Sequence, residues 1–159
     1  MKYKVGIGQD SHRFEDDHAK PLMLAGVHIP FDRGLKGNSD GDVVLHALCH
    51  SISSITGKLI IGSYSDKLCS EQGITDSTFY IKEALKTLGE LNICHVSVSI
   101  ECLRPQIEPH IEKMRNRIAE LLSIDSEDIG ITATSGEGLT AFGQGKGIQA
   151  FVITTVMRL

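Results

Sequence analysis

The chain has 159 residues, 41% of them hydrophobic, which suits a single domain, residues 1–159, built around one core. Its 16 Lys and Arg against 20 Asp and Glu give a formal net charge of -4, so no overall basic field is available to hold a nucleic-acid backbone. No apolar run approaches the ~20 residues of a membrane span, no export segment follows Met1-Lys2-Tyr3-Lys4, and Cys49, Cys69, Cys94 and Cys102 form no C-x-x-C pair; a cytoplasmic chain with reduced thiols is expected, with neither membrane nor nucleic acid as partner.

In chain order, residues 3–7 alternate as a short strand, and residues 22–27 and 28–31 offer two further extended pieces. Ser39-Asp40-Gly41-Asp42 is a helix start; Val44, Leu48, Ile52 and Ile55 then recur at helical spacing until Gly57 stops the helix. Residues 58–75 carry no clear period. A second helix begins after Asp76, with Phe79, Ala84, Leu85 and Leu88 apolar and Gly89 as its end. Residues 93–102 place Cys94, Val96, Val98, Ile100 and Cys102 on one parity, the pattern of a half-buried strand. Pro109 opens a third helix whose inner face is expected to be Ile111, Met114, Ile118 and Leu121. Strands over residues 129–134 and 148–156 flank a glycine-rich loop. The sum is a mixed sheet with helices packed on one side, class α+β or α/β.

Several residues carry candidate chemistry. Asp10 and His12 lie two apart directly after the first strand, so an extended backbone aims both side chains the same way. The same acid-x-His spacing recurs at Asp16/His18 and Glu108/His110. His46 stands on the first helix, on the face away from Val44, Leu48 and Ile55, and His50, four residues on, shares that face as an alternative ligand. Thr134, Ser135, Gly136 and Gly138 offer hydroxyls and backbone N–H groups to phosphate oxygens, although a plain hairpin loop has the same composition. The helix start at residues 39–42 is a second candidate anion-binding element through its unpaired N–H groups.

Gly8-Gln9-Asp10-Ser11-His12-Arg13-Phe14, followed by Ser39-Asp40-Gly41-Asp42-Val43-Val44-Leu45-His46-Ala47-Leu48, resembles the two signature stretches of the 2-C-methyl-D-erythritol 2,4-cyclodiphosphate synthase family. The likeness continues through Pro105, Pro109-His110-Ile111, Ala133-Thr134-Ser135-Gly136-Glu137-Gly138-Leu139 and Gly143-Gln144-Gly145-Lys146-Gly147-Ile148, and lapses at residues 58–75. The resemblance implies a homotrimer with sites between subunits and a metal-dependent lyase of the non-mevalonate isoprenoid pathway. That enzyme cyclises 4-diphosphocytidyl-2-C-methyl-D-erythritol 2-phosphate and releases CMP. It further implies catalytic roles for Asp10, His12, His46 and Glu137, with zinc on the first three and magnesium or manganese on Glu137. One carboxylate and two imidazoles leave a fourth position open on a tetrahedral zinc. Substrate contacts fall on Asn38, Ser39, Asp40, Gly62, Arg104, Pro105, Gln106, Ala133, Thr134 and Ser135, residues 102–107 matching the family's cytidine pocket.

The chain also departs from the family. Asn38 stands where His is common and Gln106 where a phosphate-contacting Lys is common. The ribose-holding Asp-Ile-Gly reads Ile60-Ile61-Gly62, and the arginine and glutamate of the trimer axis fall on Gln144 and Phe151. A non-catalytic zinc-binding trimer and another metal-dependent phosphoester hydrolase are the competing readings.

Overall fold

The computed structural model describes residues 2–158. Its strands are β1 (Lys2–Arg13), β2 (Leu22–Leu24), β3 (Val27–Ile29), β4 (Asn92–Glu101), β5 (Ile129–Thr134) and β6 (Gly147–Arg158). Its α-helices are α1 (Val43–Thr56), α2 (Ser63–Gln72), α3 (Ser77–Lys86) and α4 (Ile111–Leu122). The main sheet has the order β1-β6-β4-β5: β6 runs antiparallel to both neighbours, and β4 and β5 are parallel. β2 and β3 form a separate hairpin closed by Ala25 and Gly26, both at positive φ (55° and 72°), the geometry that matches strand twist in a two-residue turn. This is an α+β fold, and the helices pack on one face of the mixed sheet.

Alternation along the strands decides which face that is. Val96, Val98 and Ile100 of β4 and Ala150, Val152, Thr154 and Val156 of β6 are buried beneath the helices, whereas Phe151 and Ile153, between them in sequence, are exposed. β1 contributes Gly6 and Gly8 to the covered face. A Cβ on Gly8 would stand 2.0 Å from the Ala47 carbonyl oxygen, and one on Gly6 would stand 2.1 Å from that of Ser51. The missing side chains therefore let α1 lie directly on the strand.

Asp42 fixes the start of α1. Its carboxylate accepts from Leu45 N (3.0 Å) in the first turn and also from Ala25 N (2.9 Å) and Gly26 N (2.6 Å) of the hairpin turn. One buried side chain thus caps a helix and ties it to a neighbouring element. Burial, with the nearby Asp40 charge, pushes the Asp42 carboxyl up to about 6 against the pull of these three backbone donors.

The structure corrects the sequence reading at several points. β1 runs to Arg13, so Asp10 and His12 lie within the strand, not after it. Residues 58–75 contain α2, whose solvent-facing sequence leaves only Ser65 buried and so carries no apolar period. α3 ends at Lys86 with Thr87 as its cap, where Thr87 N and Leu88 N turn back to Ala84 O and Leu85 O; Gly89 lies beyond it. A bulge between Ile93 and His95 shifts the β4 parity, burying Ile93 and leaving Cys94 half-buried. α4 follows a short 3-10 turn that contains Pro109, and it buries Met114, Ile118, Ala119 and Leu122, while Ile111 and Leu121 are only half-covered.

Candidate active site

Asp10 and His12 share the β1 face of Gly6 and Gly8, the side on which α1 rests. His46 reaches the same point from the first turn of α1. It is 7% exposed, which corrects its expected place on an outward helix face. α1 is covered by the sheet on one side and by α3 on another, so its first turn has no outward face.

The three side chains converge. Asp10 Oδ2 lies 3.1 Å from His12 Nε2 and 3.0 Å from His46 Nδ1, and one ligand atom from each residue falls within 4.8 Å of the others. Around a tetrahedral zinc, with bonds of about 2.0–2.2 Å, ligand atoms stand roughly 3.3–3.5 Å apart. The two distances from Asp10 need only a few tenths of an ångström of opening to meet that spacing, and one carboxylate with two imidazoles is a donor set that fits a divalent ion. Burial would raise the Asp10 carboxyl, but hydrogen bonds from His12 and His46 and their charge hold it well below the usual carboxylate range. His12 is raised above an ordinary imidazole, first by its hydrogen bond to Asp10 and further by a bond to the Lys36 backbone, against a smaller lowering by burial.

His50 lies outside this group, one turn along α1 over Gly8, where burial pushes its imidazole down. His18 instead turns to Asp32, its Nδ1 standing 2.9 Å from the Asp32 carbonyl oxygen on the surface.

A cavity of about 270 Å³ opens beside the trio and brings Asn38, Ser39 and Gly62 to Asp10, His12 and His46. Ile61, Ser65, Asp66, Cys69 and Tyr80 complete its wall. Of the helix start, Ser39 reaches this space but the end of the helix is otherwise engaged: Asp42 caps it, and Asp40 is spent on Ser77 and on Asp42 N (3.1 Å). Residues 37–39 line the cavity in their place.

The remaining candidates lie apart from the trio. Arg104, Gln106, Ala133, Thr134 and Ser135 line a second cavity of about 370 Å³, together with Cys102, Leu103, Ile107 and Glu108. Pro105, joined to Arg104 by a cis peptide, belongs to the same segment. Glu137 is exposed on the following turn and held at positive φ (51°), a conformation costing a side-chain-bearing residue roughly 1–2 kcal/mol. Cys69, Tyr80 and Ser77 were not singled out in the sequence, where nothing distinguishes them from ordinary helix residues.

Fold and trio together define an α+β protein with a metal-binding group seated where an edge strand meets a buried helix. The chain belongs to the YgbB family, which residues 3–157 match. The 2-C-methyl-D-erythritol 2,4-cyclodiphosphate synthase of Chlamydia trachomatis serovar L2b is 50% identical over 157 residues, covering 98% of this chain and 88% of that protein. Among solved structures, the bifunctional IspDF of Campylobacter jejuni aligns with a TM-score of 0.90 at 26% identity over 99% of this chain; the chain spans 43% of that longer protein. A 2C-methyl-D-erythritol-2,4-cyclodiphosphate synthase in its CDP-bound form aligns with a TM-score of 0.83 at 26% identity, covering 97% of this chain and 100% of that one. The family resemblance of the motifs is thereby borne out. Among the described residues, no helix is long and apolar enough to cross a membrane.

Proposed function

We propose that the chain converts 4-diphosphocytidyl-2-C-methyl-D-erythritol 2-phosphate into 2-C-methyl-D-erythritol 2,4-cyclodiphosphate with release of CMP, as a lyase of non-mevalonate isoprenoid synthesis in the cytoplasm. The observation that carries this reading is the convergence of Asp10, His12 and His46 on the cavity that Asn38, Ser39 and Gly62 also line. The names of relatives at half identity support it.

In this reaction an oxygen of the 2-phosphate forms a bond to the β-phosphorus of the same molecule. The bond from that phosphorus to the bridging oxygen breaks, and its electron pair leaves on CMP. Anion meets anion, so charge neutralisation and alignment dominate the barrier. Asp10, His12 and His46 would hold zinc and Glu137 would hold magnesium or manganese, and these ions would supply Lewis-acid polarisation of the phosphates. The chain's own groups do the rest. The Asn38 amide and Ser39 hydroxyl donate to phosphate oxygens at the cavity rim. Arg104 offers positive charge at the second cavity, where Pro105, Gln106, Ala133, Thr134 and Ser135 receive the cytidine end of the substrate.

Within one chain the metal-binding trio and this cytidine-binding wall belong to separate cavities. A homotrimer that joins one subunit's trio to its neighbour's second cavity resolves that separation. The uncovered apolar row Val5, Ile7, Phe151 and Ile153 gives such an assembly a face to bury. Asp40 is assigned to support of Ser77 and not to substrate. The test is CMP release from the cytidine substrate in added zinc and magnesium. A zinc-loaded protein that releases no CMP is a non-catalytic zinc-binding trimer, and solvent oxygen in the product marks a hydrolase.

A further inference from the structure

His46 has two ring nitrogens with different neighbours. Nδ1 faces Asp10 Oδ2, while Nε2 lies 2.8 Å from Ser77 Oγ and 3.2 Å from Ser39 Oγ. Ser77 is the first residue of α3 and is 1% exposed. Its hydroxyl proton is committed, because Ser77 Oγ donates to Asp40 Oδ1 while Ser77 N donates to Asp40 Oδ2 at 2.9 Å. A hydroxyl that gives its one proton to a carboxylate presents only lone pairs elsewhere. At 2.8 Å a second lone pair on His46 Nε2 would be repelled, whereas an Nε2–H would be accepted. Ser39 Oγ, which accepts from Gly41 N at 3.3 Å, can accept from the same N–H.

We propose that Ser77 is a positioning residue that keeps a proton on His46 Nε2, so that Nδ1, the nitrogen that faces Asp10 Oδ2, is the one that exchanges its proton for the divalent ion. Asp40 acts behind it: by taking the Ser77 proton, the carboxylate turns an ambivalent hydroxyl into a pure acceptor. The inference rests on the metal-centre reading above and extends it to a residue on a different element. It explains why Asp40, beside the cavity mouth, turns inward. It also makes the docking of α3 a condition of the ligand geometry, since the acceptor oxygen arrives on that helix.

The test compares wild-type protein with Ser77→Ala and Ser77→Thr. Two quantities are read: zinc affinity by competition with a chromophoric chelator, and the His46 ring-nitrogen signals by long-range proton–nitrogen NMR. Ser77→Ala keeps the backbone N–H bond to Asp40, so α3 retains that anchor. The expected result is a protonated Nε2 in wild type, an affinity loss of about 10–100-fold in Ser77→Ala, and recovery in Ser77→Thr, which restores the hydroxyl. Asp40→Ala, which leaves no side-chain oxygen to take the Ser77 proton, gives an independent arm. Freeing the Ser77 proton to point at His46 should move the ring proton toward Nδ1 and weaken zinc binding, whether or not Ser77→Ala folds. The proposal is overturned by an unprotonated Nε2 in wild type, or by Ser77→Ala binding zinc within about 2-fold of wild type. Wild-type protein that bound no zinc would instead sink the metal-centre reading, and the Nε2 proton in that same sample would still decide the present one.

Discussion

Replacing Asp42 by alanine should be among the most damaging single changes outside the metal-binding trio. The substitution deletes a carboxylate that accepts three backbone bonds, from Leu45 N, Ala25 N and Gly26 N, and leaves those donors without their side-chain partner. Hydrogen bonds to a charged group contribute roughly 1.5–3 kcal/mol each, a gross loss of about 4.5–9 kcal/mol. Against that stands the cost of keeping the charge buried. A carboxyl pushed from 3.8 to about 6 gives back roughly 3 kcal/mol when it is removed at neutral pH. The net expectation is a destabilisation of about 1.5–6 kcal/mol, read by denaturant titration in chelator so that metal occupancy does not enter. At about 2–4 °C per kcal/mol for a chain of this size, Tm should fall by roughly 10 °C.

The pH dependence provides a second check. Because the folded pKa is raised, this carboxyl's contribution is full below its unfolded value and fades as pH rises through about 6. The gap between wild type and Asp42→Ala should therefore widen as pH falls from about 6 to about 4. A loss under about 1 kcal/mol, or a gap that narrows on acidification, would refute the assignment of Asp42 as the tie between α1 and the hairpin.

Purified protein should carry about one zinc per chain and His46→Ala should lose it, as metal analysis will show, because two remaining protein ligands make a poor tetrahedral site. Unchanged zinc in that variant, with loss in His50→Ala, would transfer the ligand role to His50. Glu137→Gln should keep zinc and fold but lose most CMP-forming activity and its magnesium dependence, since an amide is a poor ligand for a hard divalent ion; wild-type kinetics in the variant would contradict the role. Gly8→Ala should lower stability by several kcal/mol and zinc affinity together, since a methyl group cannot sit 2.0 Å from the Ala47 carbonyl oxygen without moving α1. A variant with normal Tm would show that the helix can retreat without loss.

What could be read in the sequence was what depended on local pattern. Alternation in β4 past its bulge, the glycine stop of α1 and the proline just ahead of α4 were legible because each reflects backbone geometry over a few residues. Asp10, His12 and His46 were legible through their motif, and their meeting confirms the strand parity from which two of them were argued. His46 was misplaced because α1 is enclosed on more than one side, and enclosure is a tertiary fact. α2 escaped because a surface helix with one buried serine has no hydrophobic signature. Ser77 could not have been found at all: its significance lies in where Asp40 sends its proton, and that requires α3 to be docked.

The outermost strand has a further consequence. β1 is the outermost strand of the main sheet, with β6 as its hydrogen-bonded neighbour. On the face away from the helices it also shows Val5 and Ile7. Exposed edge strands that carry apolar side chains are templates on which further strands can grow. Lys2 and Lys4, exposed at the strand's beginning, place charge close to that apolar pair, an arrangement that discourages such growth. Substitution of those lysines by apolar residues should then show itself first as insoluble protein, before any defect appears in the chemistry.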